Sequence, residues 1–333
     1  MENDQMSSKL WAMARLATPM AVRVAATLRL ADHVAAGRDR AADLAAAAGA
    51  DADAVERLMR YLSVRGLFDR DDTGRYTLTP LGAALRDDHP SRLRPRLDVE
   101  GSLGRAELSF AQLLHSIRTG EASFHLQFGR TFFEDWAADP ERAEDFNKLT
   151  SDMESRSPDI VAGYDWESLG SVVDVGGGNG ALMLALLRKF PTLRATVLEM
   201  PDNSEPARKA VAEAGLGDRC DVVSRSFFEP LPAGAGGYVM SFVLHNWGDE
   251  QARALLRRCA EAAGEDGVVL VVEQTGPHGA ATHTGMDLRM LVVTGGKERT
   301  AEDMGELAAE VGLRIAAVHP AGAFSIVEMR AAR

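Results

Sequence analysis

From Val172 onward, short β-branched runs alternate with helical segments, and this constrains the fold more than any other feature of the chain. Ser171–Val175, Arg194–Glu199, residues 220–226, residues 238–245 and Val268–Glu273 read as strands. Ala181–Lys189, residues 203–214 and Asp249–Ala263 read as the helices between them. Such succession builds right-handed parallel crossovers, with helices covering both faces of the sheet. The end breaks the pattern. Residues 314–318 and 324–329, joined through a turn at Pro320, Ala321 and Gly322, read as a hairpin that adds an antiparallel strand. The expected fold class is therefore α/β: a doubly wound, mostly parallel sheet closed by an antiparallel hairpin.

The first half has a different character. Residues 20–35 carry Val24, Leu28 and Ala31 at helical spacing, residues 41–48 form a short helix ended by Gly49, and residues 53–62 form a third with Asp53 as N-cap. Two short strands around Asp71, Asp72, Thr73 and Gly74 follow. Three helices and a hairpin make a winged helix-turn-helix. The division expected is an N-terminal winged-helix-like dimerisation domain over residues 1–100, a helical connector and pocket wall over 101–160, and a ligand-binding domain over 161–333.

A winged helix that reads DNA needs unopposed cations on its recognition helix. Here Arg57 and Arg60 are offset by Asp51, Asp53 and Glu56, and the whole chain carries 49 acidic against 37 basic residues, a net charge of −12. Nucleic acid is not expected as a partner. The apolar stretch of residues 10–30 instead calls for a second copy of the chain, with Met13 or Leu16 entering the partner's pocket. Two cysteines, Cys220 and Cys259, have neither disulfide-scaffold nor metal-ligand spacing. No apolar run is long enough for a bilayer, and the acidic N-terminus lacks a signal-peptide layout. A cytoplasmic protein without membrane attachment or metal is expected.

The run Gly176, Gly177, Gly178, Asn179, Gly180 stands between a strand and a helix. There, backbone N–H groups and a helix N-terminus meet at the carboxyl edge of the sheet, where ligands bind. Glu199, ending the next strand, can accept hydrogen bonds from two ribose hydroxyls. A P-loop is excluded, because no Gly-Lys-Ser/Thr follows. These features alone fit NAD and S-adenosylmethionine equally well.

The domain order and four motifs separate the two. Asp174 to Gly180 resembles motif I of class I methyltransferases. Leu244-His-Asn-Trp247, Val271-Val-Glu-Gln274 and Gly295-Gly-Lys-Glu-Arg-Thr300 resemble small-molecule O-methyltransferases of the plant caffeate and bacterial aromatic polyketide types. The resemblance covers nearly the whole chain, including the N-terminal dimerisation domain. The stretch from Met286 to Leu291 looks most like the bacterial members that methylate antibiotic precursors. It implies a Rossmann-like methyltransferase domain that takes S-adenosyl-L-methionine, releases S-adenosyl-L-homocysteine, and acts on an aromatic hydroxyl. It also implies cofactor contacts from Asp174, Gly176, Gly178, Glu199, Ser226, Phe227, Ser241 and Trp247. Two positions depart from the family pattern. Arg225-Ser226 stands where Gly-Asp is common, and Asn246 replaces the aspartate of His-Asp-Trp.

The chemistry follows from residue types. A phenol titrates near about 10 in water, and a positioned histidine that takes its proton contributes roughly 10²–10⁴ in rate. His245 lies just beyond a strand that ends at the ligand edge. Glu273 ends the following strand, Glu298 sits in a loop that can fold over the same edge, and by resemblance both flank the histidine. Met286, Met290 and Leu291, with Phe132, Phe133, Trp136 and Asn246, are candidates for an acceptor pocket. The methionines and aromatics fit core packing equally well. Asp287, before an apolar helical run, fits an N-cap equally well. Two further functional readings stay open: non-methylating chemistry on the same cofactor, and a winged-helix regulator that senses it.

Overall fold

The computed structural model describes residues 2–139, 142–143, 157–275 and 284–332. Part of the expected connector, residues 144–156, lies outside them. The chain divides into two compact units, Met1–Leu108 and Ser109–Arg333.

In the first unit, helix Ala52–Val64 buries Val55, Met59 and Leu62 along one stripe. Its N-cap is Asp51, not Asp53: the Asp51 carboxylate accepts the Ala54 N–H at 2.9 Å, while Asp53 occupies the first turn. Residues 20–35 are not one helix. They belong to Ala17–Thr27 and Leu30–Ala35, separated at Arg29, whose φ of +51° no α-helix accommodates. Strands β1 (Phe68–Arg70) and β2 (Tyr76–Leu78) pair antiparallel, Phe68 opposite Leu78. Tyr76 is wholly buried, and its hydroxyl donates to Glu56 at 3.0 Å. Met6, Leu10, Trp11, Met13 and Leu16 are exposed, Met13 at 76%.

The second unit carries seven strands: β3 (Ser171–Val175), β4 (Arg194–Glu199), β5 (Cys220–Ser224), β6 (Gly237–Ser241), β7 (Val268–Glu273), β8 (Leu313–Ala321) and β9 (Phe324–Ala331). Their order is β5-β4-β3-β6-β7-β9-β8. The first five run parallel, and β9 pairs antiparallel with β7 and with β8. This is the doubly wound sheet with a terminal hairpin that the alternation implies. Residues along β7 show why. Val269 and Val271 enter one core cluster and Leu270 and Val272 the other, so successive side chains face opposite helical layers and every β7 residue is buried.

The hairpin turn differs from expectation. Pro320 and Ala321 are still in β8, opposite Ser325 and Phe324, so the reversal falls at Gly322 and Ala323. The segments read as 220–226 and 238–245 are likewise shorter strands, ending at Ser224 and Ser241. Leu244–Asn246 forms a 3₁₀ turn, which takes His245 off the sheet. No helix among the described residues is long and apolar enough to cross a membrane.

Candidate active site

Chain direction through the sheet reverses at β3: β4 and β5 lie on one side of it, β6 and β7 on the other. The crevice at the carboxyl ends of β3 and β6 is the topological switch point where such sheets bind ligands. A cavity of about 430 Å³ occupies it. Asp174 and the glycine loop line it from β3, Glu199 and Met200 from β4, and Ser241 from β6. Phe132, Phe133 and Trp136 come from helix Phe132–Ala137, which begins with a capping box between Thr131 and Glu134.

The loop keeps its shape because it is glycine. Gly176 has φ +76°, and a Cβ there would stand 2.9 Å from Val243. Gly178, at φ +56°, has open space where a Cβ would point, and its N–H donates to Glu199 Oε2 at 2.8 Å. The other oxygen of Glu199 accepts the Met200 N–H at 2.7 Å. These bonds occupy two of the four lone-pair sites of the carboxylate and leave two. Burial nevertheless raises the Glu199 pKa, against the two backbone bonds. Asp174 is buried beneath the loop, and its Oδ1 has no hydrogen-bond partner among the described residues. Burial first, then the Glu199 charge, pushes its pKa up to about 7. An orphaned carboxylate oxygen, a second carboxylate and Asp202 all line one crevice. That lining fits a ligand with a ribose and positive charge, as S-adenosylmethionine has, and opposes a dinucleotide pyrophosphate.

Three segments bring the acid–base groups together. His245 Nδ1 lies 2.8 Å from Glu298 Oε1 and 3.6 Å from Glu273 Oε2. The His245 backbone N–H donates to Glu273 Oε1 at 3.1 Å. Because an ionised carboxylate only accepts, Nδ1 carries the proton and Nε2 keeps its lone pair. Burial pulls the His245 pKa down, but the Glu273 charge, the bond to Glu298 and its charge, and the Phe242 carbonyl together raise it. Burial, partly offset by His245, raises the pKa of Glu273. His245 is not itself among the cavity-lining residues, although Phe242, Val243, Asn246 and Trp247 are, and 16% of its side chain stays exposed.

The other expected residues divide. Phe133, Trp136, Phe227, Ser241, Asn246 and Trp247 line the cavity. Trp247 stacks on Phe133 with centroids 5.8 Å apart and meets Phe227 edge-on. Ser226 does not line it; its hydroxyl accepts the Phe228 N–H within the chain turn. Neither Met286 nor Met290 lines it either. Met290 is buried, and Met286, in the first turn of helix Thr284–Thr294, is 37% exposed. Asp287 is no N-cap, being inside that helix, and it accepts the Glu298 N–H at 3.0 Å. Met13 belongs to the first unit.

Sequence reasoning missed Arg299. Its side chain is 2% exposed and bonds to Asp249, at 2.7 and 3.1 Å, and to the carbonyls of Leu244, Trp247 and Lys297. One guanidinium thus ties the turn bearing His245 to the loop bearing Glu298. An arginine between two charged neighbours and a threonine gives no sign of burial.

The chain matches the family model for the O-methyltransferase domain over residues 110–314 and that for the O-methyltransferase dimerisation domain over residues 11–88. It belongs to the O-methyltransferase family. It is an S-adenosylmethionine-dependent O-methyltransferase with the family's dimerisation domain. The 2,7-dihydroxy-5-methyl-1-naphthoate 7-O-methyltransferase of Streptomyces carzinostaticus is 53% identical over 97% of each chain. The crystal structure of NcsB1, an O-methyltransferase from neocarzinostatin biosynthesis, in complex with S-adenosylmethionine and 2-hydroxy-5-methyl naphthoic acid, superposes with a TM-score of 0.91. It is 52% identical and covers 96% of this chain and 98% of that one. Aclacinomycin 10-hydroxylase RdmB of Streptomyces purpurascens is 40% identical over 96% of this chain and 89% of its own.

Proposed function

We propose that this enzyme methylates a hydroxyl of a polycyclic aromatic acceptor, of the hydroxynaphthoate kind, in an antibiotic pathway. One observation carries the reading: a histidine fixed by two buried glutamates beside an aromatic-walled cavity. Phe133, Trp136, Phe242 and Trp247 suit a flat ring system. The name of the naphthoate methyltransferase relative supports the acceptor class.

When bound, S-adenosylmethionine supplies an electrophilic methyl group on a sulfonium. Asp174, Gly176, Gly178, Glu199, Phe227, Ser241 and Trp247 would hold it. Glu199 would offer its two remaining lone-pair sites to ribose hydroxyls, and the Asp174 carboxylate would attract the positive charge. Glu298 fixes the His245 tautomer by accepting the Nδ1 proton. Nε2 of His245 then takes the acceptor's hydroxyl proton. Glu273 and Glu298 stabilise the resulting imidazolium. The aromatic walls hold the acceptor plane and exclude water, so that proximity supplies the remainder of the rate.

A homodimer forms through the first unit, covering Leu10, Trp11, Met13 and Leu16. Two cations of that unit face carboxylates: Arg70 bonds to Glu56 at 3.0 Å and Arg57 faces Asp53 at 3.9 Å. This charge pairing disfavours a DNA-reading regulator. Incubation with methyl-labelled cofactor and a panel of hydroxynaphthoates, anthracyclines and flavonoids tests the acceptor class. The expected product is a labelled methyl ether of a hydroxynaphthoate; labelling of the other acceptors only, or of none, overturns the acceptor reading.

A further inference from the structure

Between β6 and His245 the chain passes through Phe242, whose φ of +56° is in the left-handed region. Gly178 can adopt such a value freely; for a phenylalanine it is strained, and it persists only where surroundings impose it. Those surroundings are visible. The Phe242 N–H donates to the Val272 carbonyl at 3.0 Å, which keeps the backbone against β7. The Phe242 ring packs edge-on against Phe324 and against His245, with centroids 5.2 and 6.1 Å away. Its carbonyl, turned back by the left-handed backbone, accepts the side-chain amide of Asn246 at 3.0 Å. The same carbonyl faces the His245 ring.

We propose that Asn246 is a positioning residue for His245, its side-chain amide holding the strained Phe242 backbone that aims the imidazole. The proposal rests on His245 being the base. It also gives a physical reason for the departure at this position. An ionised aspartate has no N–H to give, and would set a negative charge against the Phe242 carbonyl. Asparagine donates and adds no charge. The charged groups already around His245 are Glu273 from β7 and Glu298 from its loop, with Arg299 and Asp287 behind them. A carboxylate at position 246 would therefore add a further negative group to Glu273, Glu298 and Asp287.

The test is a cycle of Asn246→Ala, Phe242→Gly and the double variant, with Asn246→Asp measured beside them. Steady-state kcat and acceptor KM are read across pH, and cofactor Kd by calorimetry. Asn246→Ala is expected to lower kcat about tenfold with cofactor Kd unchanged. In the Phe242→Gly background the same change is expected to cost much less, because glycine takes φ +56° without the amide's help. Asn246→Asp is expected to lose kcat similarly and to move the acid limb of its pH profile upward, since added negative charge favours the imidazolium. Additive effects of the two changes overturn the proposal. So does an Asn246→Ala defect confined to acceptor KM, which would make the amide an acceptor contact. His245→Ala, run in parallel, separates the two claims. If it abolishes turnover while Asn246→Ala does nothing, only the positioning role falls; if it too is harmless, the base reading falls with it.

Discussion

The Nδ1 of His245 and the Oε1 of Glu298 lie 2.8 Å apart although 53 residues separate them in the chain. That contact fixes which imidazole nitrogen can accept a proton, and the acid–base predictions start from it.

Replacing His245 by alanine removes the base and leaves the glycine cradle intact. Turnover on a phenolic acceptor is expected to drop by roughly 10²–10⁴, with cofactor affinity nearly unchanged. Raising the pH should recover part of the loss, because a phenolate needs no base. Glu199→Ala should do the reverse, weakening cofactor binding while saturated turnover stays close to wild type. Calorimetry and steady-state rates on both variants check the pair, and wild-type turnover from His245→Ala at neutral pH would remove it from the mechanism.

The acid limb of kcat is expected above the ordinary histidine value of about 6.5, since the two glutamates raise the His245 pKa. As pH falls through that limb the imidazole gains a proton and turnover is lost. Glu298→Gln takes away one negative charge, so the limb moves to lower pH. The maximal rate falls as well, because the neutral amide no longer favours the imidazolium. A limb unmoved in Glu298→Gln contradicts the assignment.

Asp174 sets a separate pH dependence for cofactor binding. With a pKa of about 7 it is partly protonated in the empty enzyme at neutral pH. A cationic ligand beside it favours the carboxylate, so binding releases a proton and affinity rises from pH 6 towards 8, numbers of order a unit either side of that value. Folding stability runs the other way. Because the folded pKa lies above the unfolded value of about 3.9, the native state holds a proton that the unfolded state has lost. Asp174's contribution therefore weakens as pH rises between the two. Calorimetry in buffers of different ionisation enthalpy counts the proton, and Asp174→Asn should abolish its release.

Arg299 is expected to matter for both stability and rate. Lysine cannot reproduce its fork of bonds to Leu244, Trp247, Lys297 and Asp249. Arg299→Lys should lower stability by about 2–3 kcal/mol, judged from hydrogen bonds to charged groups, and reduce kcat more than it changes cofactor affinity. Denaturant unfolding gives the first quantity and steady-state kinetics the second.

Trp11 is 66% exposed on helix Glu2–Ala14, alongside Leu10 and Met13. If this face closes a homodimer, Trp11→Glu should shift sedimentation towards monomer at micromolar concentration. A wild-type chain that sediments as a stable, active monomer rules the dimer out.

The sheet was legible because β-strand alternation and the glycine turn are local signals. Five helix and strand bounds in the second unit, Ser171–Val175, Ala181–Lys189, Arg194–Glu199, Asp249–Ala263 and Val268–Glu273, coincide with the sequence pattern. Where non-local geometry decides, the pattern misleads. Arg29 breaks a continuous apolar helix by adopting φ +51°, and Asp287 spends its carboxylate on a residue eleven positions later. The meeting of His245, Glu273 and Glu298 could be anticipated from strand ends. The burial of Arg299 and the left-handed Phe242 could not, because both depend on what packs around them.

The glycine cradle and its two carboxylates come from residues 174–203, whereas the base and its supports come from 242–299. Change in the later stretch, Trp247 apart, can therefore retune proton abstraction while leaving the glycine cradle and its two carboxylates as they are.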